Sequence, residues 1–291
     1  MITIKNSEIE FTINPQGAEG ISLRDVKTGH EYWWHGDPEY WHGHAPVLFP
    51  AVGGHWNGTY RYEGKEYQMP KHGFVKNALW TLCGQGDNFV SFNYEVKGED
   101  LVNFPFPSLV TVTYRLIGRK LVAEFVVKNL GEKTMYFQMG GHPGLVLDDF
   151  KKEVPVSGYL KFEGKPASLL RAGEQGCTEP ERHPVPMNAE GLIPVCVDTF
   201  ANEALILDNH QIGAAVLYRA DGKTKVARVE SDAPVWLFWS PQGLHSPFVC
   251  AEPWYGLCDR IGFEGQLAER PFINVLDAGK EWHGGFTVEV F

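Results

Sequence analysis

Three short segments of this 291-residue chain each set one proton-transfer group among glycine, proline and aromatic residues. They are Pro70-Lys-His72-Gly-Phe-Val-Lys76, Gly140-Gly-His142-Pro-Gly144 and Cys250-Ala-Glu252-Pro-Trp-Tyr-Gly256. Two imidazoles and one carboxylate suffice for general acid–base chemistry without a metal or a cofactor. They lie far apart in sequence, so only a fold brings them together. Gly73 beside His72 lets another backbone or a ligand approach closely. The turn-forming residues around His142 predict a strand end directly after Met135–Met139, where a side chain can face a cleft. Glu252 ends an apolar run beside Trp254 and Tyr255, and a carboxylate there is costly to bury unless paired. Each group also has a plainer reading: a satisfied loop histidine, a turn that merely contains a histidine, a solvated strand-end glutamate.

The elements that must position these groups read as strands. Period-two alternation dominates the chain, and no useful length shows a sustained 3.6-residue period. Leu109–Ile117 and Lys120–Lys128 flank Gly118-Arg119, a two-residue hairpin turn. Thr59–Tyr67 reads as a hairpin around Glu63-Gly64. Ala214–Arg219 and Thr224–Glu230 flank Asp221-Gly222, a strong hairpin signal. Val235–Trp239 and Gly285–Phe291 are further strands. With no linker, repeat or low-complexity tract, the expectation is an all-β fold with one large domain over 1–291. The stretch 165–194, rich in Pro, Gly and Glu, reads either as a surface excursion or as a flap near a site.

Bulk composition limits the function classes. Lys and Arg total 26 against 36 Asp and Glu, a net charge of −10, which argues against nucleic acid and anionic membrane as partners. Five cysteines with no CxxC pair read as reduced, cytoplasmic usage. The N-terminus alternates apolar and polar residues and has no apolar run, so neither a signal peptide nor an anchor is expected. Nine tryptophans are read chiefly as core, although sugar clefts also use flat aromatic faces. His42-x-His44 could place two imidazoles on one strand face, and His55 is close by. No third ligand follows at an obvious spacing, and no metal site is expected. No phosphate-cradling glycine loop or GxSxG elbow occurs.

Together these segments resemble the aldose 1-epimerase (galactose mutarotase-like) family, especially its LacX-like branch. The resemblance runs along nearly the whole chain. It includes Glu31-Tyr-Trp-Trp-His-Gly-Asp37-Pro38 with Tyr40-Trp41, Ala45-Pro-Val-Leu-Phe-Pro50 with Val52-Gly53, and Asn57-Gly58-Thr-Tyr60. The three proton-transfer segments and Asp259 follow in the same order. The resemblance implies a β-supersandwich, a free aldose as small-molecule partner, a monomer or homodimer, and cofactor-free interconversion of α and β anomers. It implies Glu252 as general base at the anomeric hydroxyl and His142 as general acid at the ring oxygen, with His72 binding that oxygen. Asp198, Lys76 and Trp254 become candidate substrate contacts.

Base and acid must hold opposite protonation states, which predicts different environments for Glu252 and His142. Gly54 and Lys76 stand where relatives commonly carry arginine, and an ammonium cannot copy a guanidinium fork. This predicts altered substrate preference, with His55 or Trp56 filling space beside Gly54. Two other readings stay open: a hexose-6-phosphate 1-epimerase, which needs a cationic clamp, and a non-catalytic sugar-binding protein on the same fold.

Overall fold

The computed structural model describes residues 1–291. Strands dominate, with one short α-helix, Asp100–Asn103, and four 3-10 turns. The named strands pair antiparallel throughout. A nine-stranded sheet contains the Ser108–Ile117/Lys120–Asn129 hairpin and the C-terminal strand Glu281–Val290. A seven-stranded sheet is built around Val235–Trp239 and Phe248–Tyr255. A three-stranded sheet, Ile2–Lys5, Ile9–Asn14 and Glu19–Asp25, precedes both. One cluster of 59 buried side chains extends from Ile4 to Val290, so the chain shares a single core.

The two large sheets bury their strands differently. Ser108–Ile117 alternates buried and half-buried residues, as expected of a strand with one face on the core. Phe248–Tyr255 is buried at every position. Its odd-numbered members Val249, Ala251 and Tyr255 join the main core. Phe248 and Cys250 enter one smaller apolar cluster and Trp254 another. Because side chains alternate faces along a strand, Phe248, Cys250, Glu252 and Trp254 share the face turned away from the main core. The neighbouring strand follows the same rule: Trp236 and Phe238 face the main core, whereas Val235 and Leu237 lie on the other side.

Most predicted hairpins are present. Gly118 (φ 57°) turns the first, and Glu63 (φ 48°) with Gly64 (φ 74°) turns the second. The Asp221-Gly222 connection is longer than a two-residue turn. Its strands end at Tyr218 and resume at Lys225, and Asp221 Oδ1 caps the loop by accepting the Lys223 and Thr224 N–H groups. The predicted strand Met135–Met139 is split into Met135–Phe137 and Met139–Gly141. Buried Gln138 sits at the break, accepting the Val52 N–H and donating to the Leu257 carbonyl. The 165–194 stretch is not featureless: Leu170–Arg171 pairs with Leu205–Leu207, and a 3-10 turn spans Glu174–Gly176.

Candidate functional site

Two short strands, Met139–Gly141 and Gly144–Val146, pair with the same strand, Phe248–Tyr255. Gly140 lies opposite Trp254 and Gly144 opposite Cys250. Continuing this register sets His142 opposite Glu252. The ladder is interrupted there because Pro143 has no N–H to give, although its carbonyl still accepts the Ala251 N–H at 3.2 Å. His142 Nε2 lies 3.2 Å from Glu252 Oε1. The predicted strand end at His142 is thus a break within a continuing strand, and the chain does not reverse.

The two glycines leave room for this approach. A Cβ on Gly140 would press on the Trp254 ring, and one on Gly144 on Trp34 and the His44 carbonyl. Glu252 is fully buried and its Oε2 accepts the Trp254 indole N–H at 3.1 Å. Trp41 stacks on the His142 ring, with centroids 4.9 Å apart and planes at 29°. Trp239 meets His142 edge-on at 6.1 Å.

His72 reaches the same point from a loop. It takes a left-handed conformation (φ 67°), and a Cβ on the following Gly73 would lie 2.0 Å from the Phe49 carbonyl oxygen. Its N–H donates to the Gly53 carbonyl at 2.9 Å, and the Gly53 N–H donates back to His72 Nδ1 at 3.1 Å. A neutral imidazole that accepts at Nδ1 carries its hydrogen on Nε2. The ring stands 5.5 Å from the His142 ring and 5.8 Å from the Trp254 ring, edge-on to both.

These groups line a cleft of about 660 Å³. Its wall also includes Trp41, Trp239, Lys71, Lys76, Glu19 and Gln242. Of the residues singled out in the sequence, His72, His142, Glu252, Trp254 and Lys76 come together here. Asp198 does not line the cleft; beyond its turn, Glu203 and Ala204 form that part of the wall. His42 and His44 border the cleft, but no third ligand joins them into a metal-binding group. The 165–194 stretch contributes Ala172 and Gly176 to the wall, as a flap would.

The expectation about Gly54 is corrected. A Cβ at this position would lie 2.2 Å from the Gln175 carbonyl oxygen, so Gly54 faces the flap backbone and not the cleft. His55 and Trp56 fill no space beside a substrate. His55 is buried and its Nε2 accepts from Arg270 Nη1 at 2.6 Å, while Trp56 borders a separate crevice. The cation that sequence reasoning missed is Lys71, whose only signal was its place next to His72.

Electrostatically, the expectation of different environments is also corrected. Glu252 and His142 are both buried, and the same desolvation moves them in opposite directions. It raises the carboxyl well above its ordinary value, against smaller opposing pulls from the Trp254 indole N–H and then Lys71, and pushes the imidazole down to about 3. Each is driven toward its neutral form, so the pair as a unit favours holding one proton. His72 is also lowered, by desolvation first and then by His142 and the two lysines. Burial lowers Lys76, with Lys71 adding to it.

A buried ion cluster supports the His72 side of the cleft. Arg270 Nε contacts Asp259 Oδ1 at 2.6 Å, and both residues are 3% exposed. Burial pushes Asp259 up and Arg270 down, and each is held against that shift by the other's charge. Asp259 Oδ2 accepts the Trp56 N–H, the Asp259 N–H donates to the Gly54 carbonyl, and the Gly54 N–H donates to the Gly176 carbonyl. The loop that presents Gly53 to His72 is therefore anchored to the segment just after Glu252. Arg270→Met is expected to cost about 3–5 kcal/mol, because it leaves a buried carboxylate without its cation. Urea unfolding at neutral pH reads this, and a loss below about 1 kcal/mol would contradict the anchoring role.

The family model described as aldose 1-epimerase matches residues 1–288. The chromosomal LacX protein of Lactococcus lactis subsp. lactis is 31% identical over 293 residues, covering 96% of this chain and 97% of that protein. A galactose mutarotase related enzyme from Lactobacillus acidophilus superposes with a TM-score of 0.91 at 31% identity, over 100% of this chain and 97% of its own. A galactose mutarotase-like protein from Lactobacillus casei gives 0.92 at 29% identity, with both chains fully covered. Fold, whole-length family match and sequence likeness agree: the chain belongs to the aldose 1-epimerase family.

Proposed function

We propose that this protein is an aldose 1-epimerase that interconverts the anomers of a free aldose, with Glu252 and His142 as its proton carriers. The observation that carries the reading is the 3.2 Å contact between His142 Nε2 and Glu252 Oε1 at the floor of the cleft. Glu252 takes the proton of the anomeric hydroxyl while His142 protonates the ring oxygen. The C1–O5 bond breaks and the open-chain aldehyde forms. Rotation about C1–C2 and reclosure on the other face give the second anomer, with the two groups exchanging roles. His72 presents Nε2–H toward the cleft, where it can donate to the ring oxygen. Trp254 holds the second oxygen of Glu252 and so orients the base.

Burial suits this cycle. Before opening, the pair is carboxylate and imidazolium; after opening, it is carboxylic acid and imidazole. Desolvation favours the second state, so the pair that faces the open-chain aldehyde is the uncharged one. This lowers the reactive intermediate relative to the closed sugar, and the chain's own residues return the proton on reclosure.

The reading is tested by saturation-transfer NMR of anomer exchange across a panel of free aldoses. Acceleration of at least one sugar is expected, and none on any sugar would favour the sugar-binding alternative. Glu252→Gln is nearly isosteric but cannot accept the proton, and a loss of about 10²–10⁴-fold in rate is expected. A variant within a few-fold of wild type would remove Glu252 from the mechanism. One observation favours a second reading: Lys71 and Lys76 place two ammonium groups on the cleft wall, a point-charge clamp for an anionic sugar. Hexose 6-phosphates therefore belong on the panel, and preference for them over the free sugars would select the phosphate-bearing substrate class.

The pH profile follows from the same desolvation. A second proton enters the Glu252–His142 pair only as pH falls toward the depressed imidazole value of about 3. Because kcat/KM reports groups of the free enzyme, it should stay level from about pH 7 down to about pH 5. Half-loss near pH 6.5, the ordinary imidazole value, would show that His142 titrates as an exposed group.

A further inference from the structure

We propose that the floor of the cleft is also a binding site for a thiophilic divalent cation such as Zn2+, held by His142, Cys250 and Glu252 in competition with the sugar. Cys250 and Glu252 are two residues apart on Phe248–Tyr255 and project from the same face. His142 lies across from them on the broken strand. One ligand atom from each of the three falls within 4.8 Å of the other two, and all three residues are buried. Zn2+ bonds of about 2.0–2.3 Å set tetrahedral ligand atoms about 3.5 Å apart. His142 Nε2 and Glu252 Oε1 already stand at 3.2 Å, and coordination asks the Cys250 sulfur to close from within 4.8 Å to about 3.5 Å of them.

Two further features point to a ligand. Glu252 Oε1, the oxygen nearest His142, is fully buried and has no hydrogen-bond donor. The cleft reaches His142 and Glu252, with Cys250 buried behind its wall, and leaves a fourth position on the cleft side for water or a sugar hydroxyl. Sulfur, imidazole and carboxylate together select Zn2+ over the hard cations Mg2+ and Ca2+. On binding, the Cys250 thiol and the Glu252–His142 pair each give one proton to solvent, and the thiolate, the carboxylate and the neutral imidazole, with no change in oxidation state, become the metal ligands. The metal would occupy the proton carriers themselves, so it acts as an inhibitor and not as a cofactor.

The competition rests on the epimerase reading, whereas binding does not. The test uses the full chain with Cys83→Ser, which removes the one exposed thiol. Titration with Co2+ should give a thiolate-to-cobalt charge-transfer band that saturates at one equivalent. Zn2+ should displace the cobalt. The band should vanish in Cys250→Ala, or in Cys250→Ser if the alanine variant does not fold. Glu252→Gln and His142→Asn should each weaken Zn2+ binding by about tenfold or more. A missing band in the folded protein, or a band that survives loss of Cys250, would overturn the site. Metal bound at Cys250 with turnover unaffected at saturating Zn2+ would overturn the competition. Absence of mutarotation with the cobalt band intact would count against the epimerase reading and leave the metal site standing.

Discussion

The site depends on one cross-strand juxtaposition: a histidine on an interrupted strand opposite a glutamate that is buried on both sides. Glu252 has no solvent to stabilise its charge, and an isolated buried carboxylate is costly. The contact to His142, the Trp254 indole N–H and the lysine cation at the cleft wall are what the fold offers in return. Everything around the pair serves its geometry. The glycines of Gly140-Gly-His142-Pro-Gly144 let the strands close, Pro143 breaks the ladder at the reactive position, and Trp41 fixes the imidazole plane by stacking.

Burial gives the pair its chemistry as well as its shape. Near neutrality an exposed glutamate would be ionised, and an exposed histidine would titrate close to its ordinary value of about 6.5. Taken out of water together, the acid strengthens on the nitrogen and weakens on the carboxyl, and one proton becomes common to both. No difference in surroundings is needed to set base against acid, because desolvation acts with opposite sign on an anion and a cation. The Arg270–Asp259–His55 cluster performs a different task with similar materials. Its charges are committed to one another and to backbone groups, and they tie the loop behind His72 to the chain that follows Glu252.

Much of this was legible in the sequence, and the reasons are physical. The strands were readable because alternation survives wherever one sheet face meets the core, as in Ser108–Ile117. Phe248–Tyr255 showed only an apolar run, since both its faces are buried. The placement of Glu252 on the cleft side was therefore not readable from periodicity. His72, His142 and Glu252 stood out because glycine and proline mark positions where backbones approach. Gly54 misled for a related reason: a glycine in place of an arginine reads as lost reach toward a substrate, but the flap carbonyl of Gln175 fills the space where a side chain would begin. The flap contact joins residues 54 and 175, and nothing local in the chain encodes it. Lys71 was missed because its role comes from the turn that carries His72, not from its own neighbours.

The mechanism requires Glu252 and His142 to act as one unit. A double-mutant cycle measures this directly, with anomer-exchange rates for wild type, Glu252→Gln, His142→Asn and the combined variant. If one proton is shared between them, removing either group disables the other, and the double variant should be about as slow as the worse single variant. If the two losses instead multiply, the residues contribute independently, and a shared-proton mechanism at this pair is wrong.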